Sequence, residues 1–207
     1  KYLMDHRDLG IHTEMMSDSL MDLILAGVAT GRRKTIHKHK AVISFATGTK
    51  RLYDFLDDNP MIEALPVEYV NDPAIIAGNY RQIAINAALQ VDLTGQCCAE
   101  SFGASQYSGT GGQLDFIRGA FDSPEGRAIL AFQSTAKGGA VSRIVPTLSP
   151  GAVVTTPRTD VHYLVTEYGT AQLKGKSLRE RARLIIGLAH PQFRESLEYE
   201  AKQLGLI

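Results

Sequence analysis

Cysteine is scarce in this chain: only Cys97 and Cys98 occur, side by side. Neighbouring cysteines are poorly placed to bridge each other, which excludes a disulfide framework and fits a reducing, cytoplasmic compartment. They also lack the two-residue spacer of a metal or redox pair, so a structural role is expected. Net charge is missing too, since 22 basic and 22 acidic side chains cancel. That argues against bulk attraction to nucleic acid or to an anionic membrane. No apolar run approaches the ~18 residues of a membrane-spanning helix. The opening KYLMDHRDLG has no apolar signal region and no initiator Met, so the sequence is expected to begin inside a longer gene product.

Several chemical fingerprints are absent as well. The absence of a Gly-x-Ser-x-Gly elbow argues against a serine hydrolase. The six histidines are scattered. His37 and His39 stand two apart in the basic stretch GRRKTIHKHK (31–40), where neighbouring cations oppose a further cation, so no zinc or other metal site is expected. That stretch reads as a solvated loop, with contact to the phosphates of a ligand as the alternative.

What is present is an ordinary globular mixture, 207 residues with 44% hydrophobic and 21% charged side chains, enough to bury a core without staples. Ser17 and Asp18 are candidate N-caps of a helix whose apolar face is Leu20, Met21, Leu23 and Ile24, with Gly27 as its stop. Residues 41–46 (AVISFA) predict a buried strand, 51–57 a short helix, and 67–71 another strand. Asp72 and Pro73 read as an N-cap and first helical residue, opening a helix to about Arg81. Strand patterns follow over 83–94, 128–132 and 161–165. Ser177 and Glu180 form a capping-box pattern ahead of Leu178, Ala182, Ile185, Ile186 and Ala189. His190 and Pro191 close that helix and open the last one, to about Gly205. Strands alternating with helices predict an α/β or mixed α+β domain, and no composition break suggests an internal linker.

Three places could carry chemistry. In SGTGGQLDF (108–116), Gly109, Gly111 and Gly112 precede a possible short helix opened by Asp115 and Phe116. Glycines at this spacing allow backbone N–H groups to converge on an anion and a ligand to approach the main chain, although a plain tight turn satisfies the same composition. The spacing is neither the dinucleotide fingerprint nor a P-loop. In AKGG, Lys137 sits beside two glycines, suited to a phosphate or carboxylate or else simply a surface cation. Glu14, in GIHTEM, has Ile11, Met15 and Met16 as neighbours. A carboxylate partly desolvated by them is a better nucleophile, yet an isolated Glu is more often a surface charge or a cap, and His12 is equally ambiguous.

The ordered blocks DLGIHTEMMSD, EYVNDP, INAALQVDLTGQ, QYSGTGGQLDFIRGA, STAKGGAVSRIVPTL and VHYLVTEYGTAQLKGKSLRERARLIIGLAHPQFRE cover nearly the whole chain. Together they resemble the acetyl-CoA hydrolase/transferase family, which includes 4-hydroxybutyrate and butyryl-CoA:acetate CoA-transferases. The resemblance implies an α/β fold of the CoA-transferase type, a mixed sheet flanked by helices, with residues 1–207 as the C-terminal catalytic domain and the N-terminal half not included. It implies that Glu14 attacks an acyl-CoA to give an acyl-glutamyl anhydride. Displaced CoA thiolate then forms a glutamyl-CoA thioester, and an incoming carboxylate reverses the steps.

By the same resemblance Asn71, in YVNDP, is a polar group beside the nucleophile that can stabilise an oxyanion. Gly109, Gly111, Gly112 and Lys137 become one coenzyme A site, with Tyr107 and Gln113 flanking it. The implied partners are acyl-CoA, a small carboxylate, the N-terminal half of the same enzyme and further copies in a homo-oligomer, with no nucleic acid, membrane or metal. Alternatives are an acyl-CoA hydrolase using the same glutamate, and a CoA-binding module inactive without its N-terminal half.

Overall fold

The computed structural model describes residues 2–207; Lys1, on which the expectation about the chain's start bears, lies outside them. The chain divides into two compact units, one of residues 1–82 with 122–126, the other of 83–121 with 127–207.

The first unit is built from short elements: β1 (Met15–Met16), α1 (Asp18–Leu25), β2 (Ala41–Ile43), β3 (Phe45–Ala46), α2 (Lys50–Leu56), β4 (Ile62–Ala64), α3 (Val67–Val70) and α4 (Pro73–Ala77). β1 runs parallel to β3, and β2 parallel to β4. Met16, Met21, Leu23, Ile24, Ile43 and Leu52 are buried together as its core. α1 begins after Ser17 and buries Met21, Leu23 and Ile24, the face expected from its spacing. Gly27 follows it with φ +71°, the left-handed conformation that a Cβ disfavours and that commonly ends helices.

Three local expectations are corrected. The stretch 41–46 is two strands, because the chain breaks at Ser44. Residues 67–70 are helical, not extended. Pro66 sets the turn, and its carbonyl accepts from both Tyr69 N–H (3.0 Å) and Val70 N–H (3.1 Å), so tertiary placement overrides the strand preference of the valines. The helix capped by Asp72, whose side chain accepts from Ala74 N–H, stops at Ala77 instead of reaching Arg81; Arg81 has φ +58°.

The second unit contains β5 (Ile83–Ala87), β6 (Gln90–Asp92), β7 (Cys97–Cys98), β8 (Ser101–Phe102), β9 (Ser105–Gln106), α5 (Gln113–Asp122), β10 (Arg127–Ala131), β11 (Thr135–Ala136), β12 (Val141–Ser142), β13 (Ile144–Val145), β14 (Tyr163–Thr166), β15 (Gly169–Gln172), α6 (Leu178–Leu188) and α7 (Pro191–Gln203). Its main sheet has the order β15-β14-β10-β5. β5, β10 and β14 are parallel and β15 antiparallel, so the sheet is mixed. α6 packs on β15 and β14, and Thr166 Oγ1 donates to the Leu188 carbonyl at 2.8 Å. The capping box forms as its sequence requires: Ser177 and Glu180 each satisfy the other's backbone N–H. Cys97 and Cys98 are buried free thiols in β7, and burial pushes the Cys97 thiol far above its ordinary value, consistent with packing rather than reactivity. Among the described residues no helix is long and apolar enough to cross a membrane.

Candidate functional site

Glu14 lies where a parallel ladder is interrupted. His12 bridges Val42, and β1 pairs with β3 beyond the break. Between them the Glu14 carbonyl accepts two N–H groups, from Ser44 (2.9 Å) and Phe45 (3.0 Å). The register is the same on both sides of the break, His12 with Val42 and Met15 with Phe45, so the ladder is interrupted at Glu14 without an added residue. The Glu14 side chain is half-buried, and the Asn71 amide Nδ2 donates to its Oε2. The residues, 57 positions apart, are thus joined within the first unit.

Asn71 is the C-cap of α3, and the preceding residue is tied back to the Glu14 segment. His12 is buried, with Nε2 2.8 Å from the Val70 carbonyl. A carbonyl only accepts, so Nε2 carries the proton. Burial first, then the charges of Lys34 and His37, lower the His12 pKa against the opposing hydrogen bond to Val70. A neutral imidazole therefore links the strand of Glu14 to the helix of Asn71.

Lys34, in the basic stretch, is also buried. Its ammonium donates to the carbonyls of Ile11 (2.8 Å) and Lys40 (3.1 Å). Burial lowers its pKa to about 8, with Glu63 opposing. His37 of the same stretch stands between Glu63 (2.5 Å) and the Tyr69 hydroxyl (2.7 Å). The stretch thus fastens the framework of Glu14 and α3, a role that a charge run does not reveal in sequence.

In the second unit, the glycine-rich segment leads into α5. The Gly112 carbonyl accepts from Phe116 N–H at 3.0 Å, so α5 starts directly after the glycines and its first N–H groups lie at the loop. None of Gly109, Gly111 and Gly112 has a positive φ, so backbone conformation does not require glycine there. At Gly109 an added Cβ would meet nothing within 4 Å. The space is open, which suits ligand approach better than a turn built for its own sake. Gln113 donates to Thr156 at 3.0 Å, and Tyr107, largely exposed, stands edge-on to Phe102 with ring centres 5.2 Å apart.

Lys137 is exposed at the tip of the β11–β12 hairpin. Lys137, Gly138 and Gly139 have φ of +51°, +66° and +96°. The hairpin is secured at both ends. Ser134 N–H and Oγ donate to the Glu167 carboxylate at 2.9 and 2.6 Å, and Gln192 of α7 donates to the Gly139 carbonyl at 2.6 Å. Sequence reasoning overlooked Glu167, because its partner lies 33 positions away.

The family model for the acetyl-CoA hydrolase/transferase C-terminal domain matches residues 48–201. The chain belongs to this family. The 4-hydroxybutyrate coenzyme A transferase of Clostridium kluyveri is 55% identical over 98% of this chain and 47% of its own length. The succinyl-CoA:cyclohexane-1-carboxylate CoA transferase of Geobacter metallireducens is 53% identical over 100% of this chain and 47% of its own. The crystal structure of RipA from Yersinia pestis superposes with a TM-score of 0.95 at 52% identity, covering all of this chain and 46% of that one. The mixed α/β fold expected from the resemblance is the fold observed. The chain spans about half the length of the curated relatives it matches.

Proposed function

We propose that this chain carries the nucleophile and part of the coenzyme A site of a CoA-transferase moving coenzyme A from an acyl-CoA to a short-chain carboxylate. The observation that carries this reading is the hydrogen bond from the Asn71 amide to the Glu14 carboxylate. It occurs in a family whose similar members are named CoA transferases.

A Glu14 carboxylate oxygen attacks the thioester carbonyl, the C–S bond breaks, and an acyl-glutamyl anhydride and CoA thiolate result. The thiolate adds to the glutamyl carbonyl and the acyl carboxylate leaves, giving a glutamyl-CoA thioester. An incoming carboxylate then attacks that thioester and releases the thiolate, which takes the new acyl group and frees Glu14. Oε2, already held by Asn71, becomes the oxyanion each time a nucleophile adds to the glutamyl carbon. A donor in place beforehand stabilises that charge without reorganisation. Gly109, Gly111 and Gly112 let the coenzyme lie close to the backbone, and Lys137 meets one of its phosphates. No step calls for a metal. The other half of the relatives' length completes the site in this reading, which also includes a cytoplasmic homo-oligomer.

The test is mass spectrometry of the protein after incubation with acetyl-CoA or butyryl-CoA and no acceptor. A CoA adduct on the peptide containing Glu14, discharged by acetate and lost in Glu14→Gln with CoA binding retained, is the expected result. Steady CoA release without adduct favours a hydrolase; binding with neither leaves a CoA-binding module.

A further inference from the structure

Glu100 is a carboxylate buried to 5% exposure, immediately before a stretch that is largely exposed from Phe102 to Gly111. No ion pair among the described residues includes it. A carboxylate removed from water without a cation must be compensated by hydrogen bonds. Here two of the donors come from residues 106–110, and Thr155 adds a third from outside them. Thr110 Oγ1 donates to Oε1 at 2.8 Å, and Gln106 Nε2 reaches the same oxygen at 3.3 Å. The main chain of Glu100 contributes as well, its carbonyl accepting from Tyr107 N–H (2.7 Å) and Ser108 N–H (3.2 Å). Gln106 closes the arrangement by also donating to the Ser108 carbonyl at 2.6 Å.

The glycines have no side chains with which to fix their own conformation, and the space beside Gly109 is open. A loop of that kind loses conformational entropy when a ligand orders it, unless something beneath it has already done so. The Thr110 hydroxyl above all holds the Glu100 carboxyl below the usual carboxylate range, so the acceptor is ionised at neutral pH.

We propose that Glu100 is the positioning residue of the glycine-rich loop, holding residues 106–110 in the shape that receives acyl-CoA. This rests on the reading of that loop as part of the coenzyme A site.

The test compares Glu100→Ala, Glu100→Gln and Thr110→Val in the full chain by hydrogen–deuterium exchange and steady-state kinetics. Glu100→Ala is expected to speed exchange in the peptide spanning Gln106–Gly112 and to raise KM for acyl-CoA about tenfold, with kcat within about threefold. Glu100→Gln should restore most of both, because an amide oxygen accepts the same two bonds. Thr110→Val, at an exposed position where folding is not at stake, should move both readouts in the direction of Glu100→Ala and less far. Unchanged exchange in Glu100→Ala and Thr110→Val overturns the proposal, and so does faster exchange with unchanged KM. If the parent protein neither forms the Glu14 adduct nor binds acyl-CoA, the transferase reading fails separately, and the exchange data still decide whether Glu100 holds the loop.

Discussion

Asn71 touches the Glu14 carboxylate, so under the proposed mechanism its loss belongs to the rate rather than to affinity. Asn71→Ala should lower kcat by about 10²–10³, the usual cost of one oxyanion donor, while KM for acyl-CoA stays nearly constant; stopped-time measurement of adduct formation on Glu14 gives the same ratio. Lys34 makes a different prediction, about pH. Its folded pKa of about 8 lies below the ordinary 10.5. Between those values the unfolded chain holds more protons at this site than the folded one, so stability rises with pH there. Below about pH 8 both states hold the proton, and the penalty of burying the cation is present in full. Denaturant midpoints taken from pH 7 to 10 should therefore show a gain that Lys34→Met lacks. Neither Lys34 nor His12 was legible as a framework residue. A basic stretch and a lone histidine look alike whether solvated or buried, since burial depends on strands that meet only after folding. Glu14 and Asn71 were found through the resemblance; the bond between them spans a separation that no local spacing rule addresses.

Local grammar was most readable where a side chain answers the backbone within a few positions. The Ser177–Glu180 box and the Asp72–Pro73 start are such cases, because capping is chemistry between near neighbours. Ser177→Ala should cost about 1 kcal/mol, measured as a lower urea midpoint with unchanged slope. α3 was misread as a strand for the opposite reason. Four residues rich in valine and tyrosine have strand propensity, and a one-turn helix draws its stability from Pro66 and from the His12 contact to Val70 rather than from its own composition. The β11–β12 hairpin offers a separable test of conformation and charge. Lys137 adopts the left-handed region at a cost of roughly 1–2 kcal/mol that glycine avoids. Lys137→Gly should leave stability equal or higher, yet weaken acyl-CoA binding about tenfold, measured by titration calorimetry. If affinity is unchanged, the lysine has no part in coenzyme recognition.

For the molecule as a whole, the alternation of strands and helices indicated an α/β or mixed α+β fold, and the folded chain is mixed α/β. What composition did not disclose was its division into two units, because the boundary crosses the chain three times and leaves no linker. Within the first unit, residues 122–126 act as a strap. Ser123 Oγ donates to the Asn79 carbonyl at 2.6 Å and accepts from Gln82 N–H at 3.0 Å, Pro124 accepts from Arg81 N–H at 2.9 Å, and Glu125 accepts from the Tyr80 hydroxyl at 2.5 Å. These contacts set a schedule for synthesis. When Gln82 leaves the ribosome the first unit has its strands and helices but not its strap, and the strap follows only after β5 to α5 have emerged. The nascent chain must therefore hold an unfinished first unit open-ended while the glycine-rich loop of the second is already outside the tunnel.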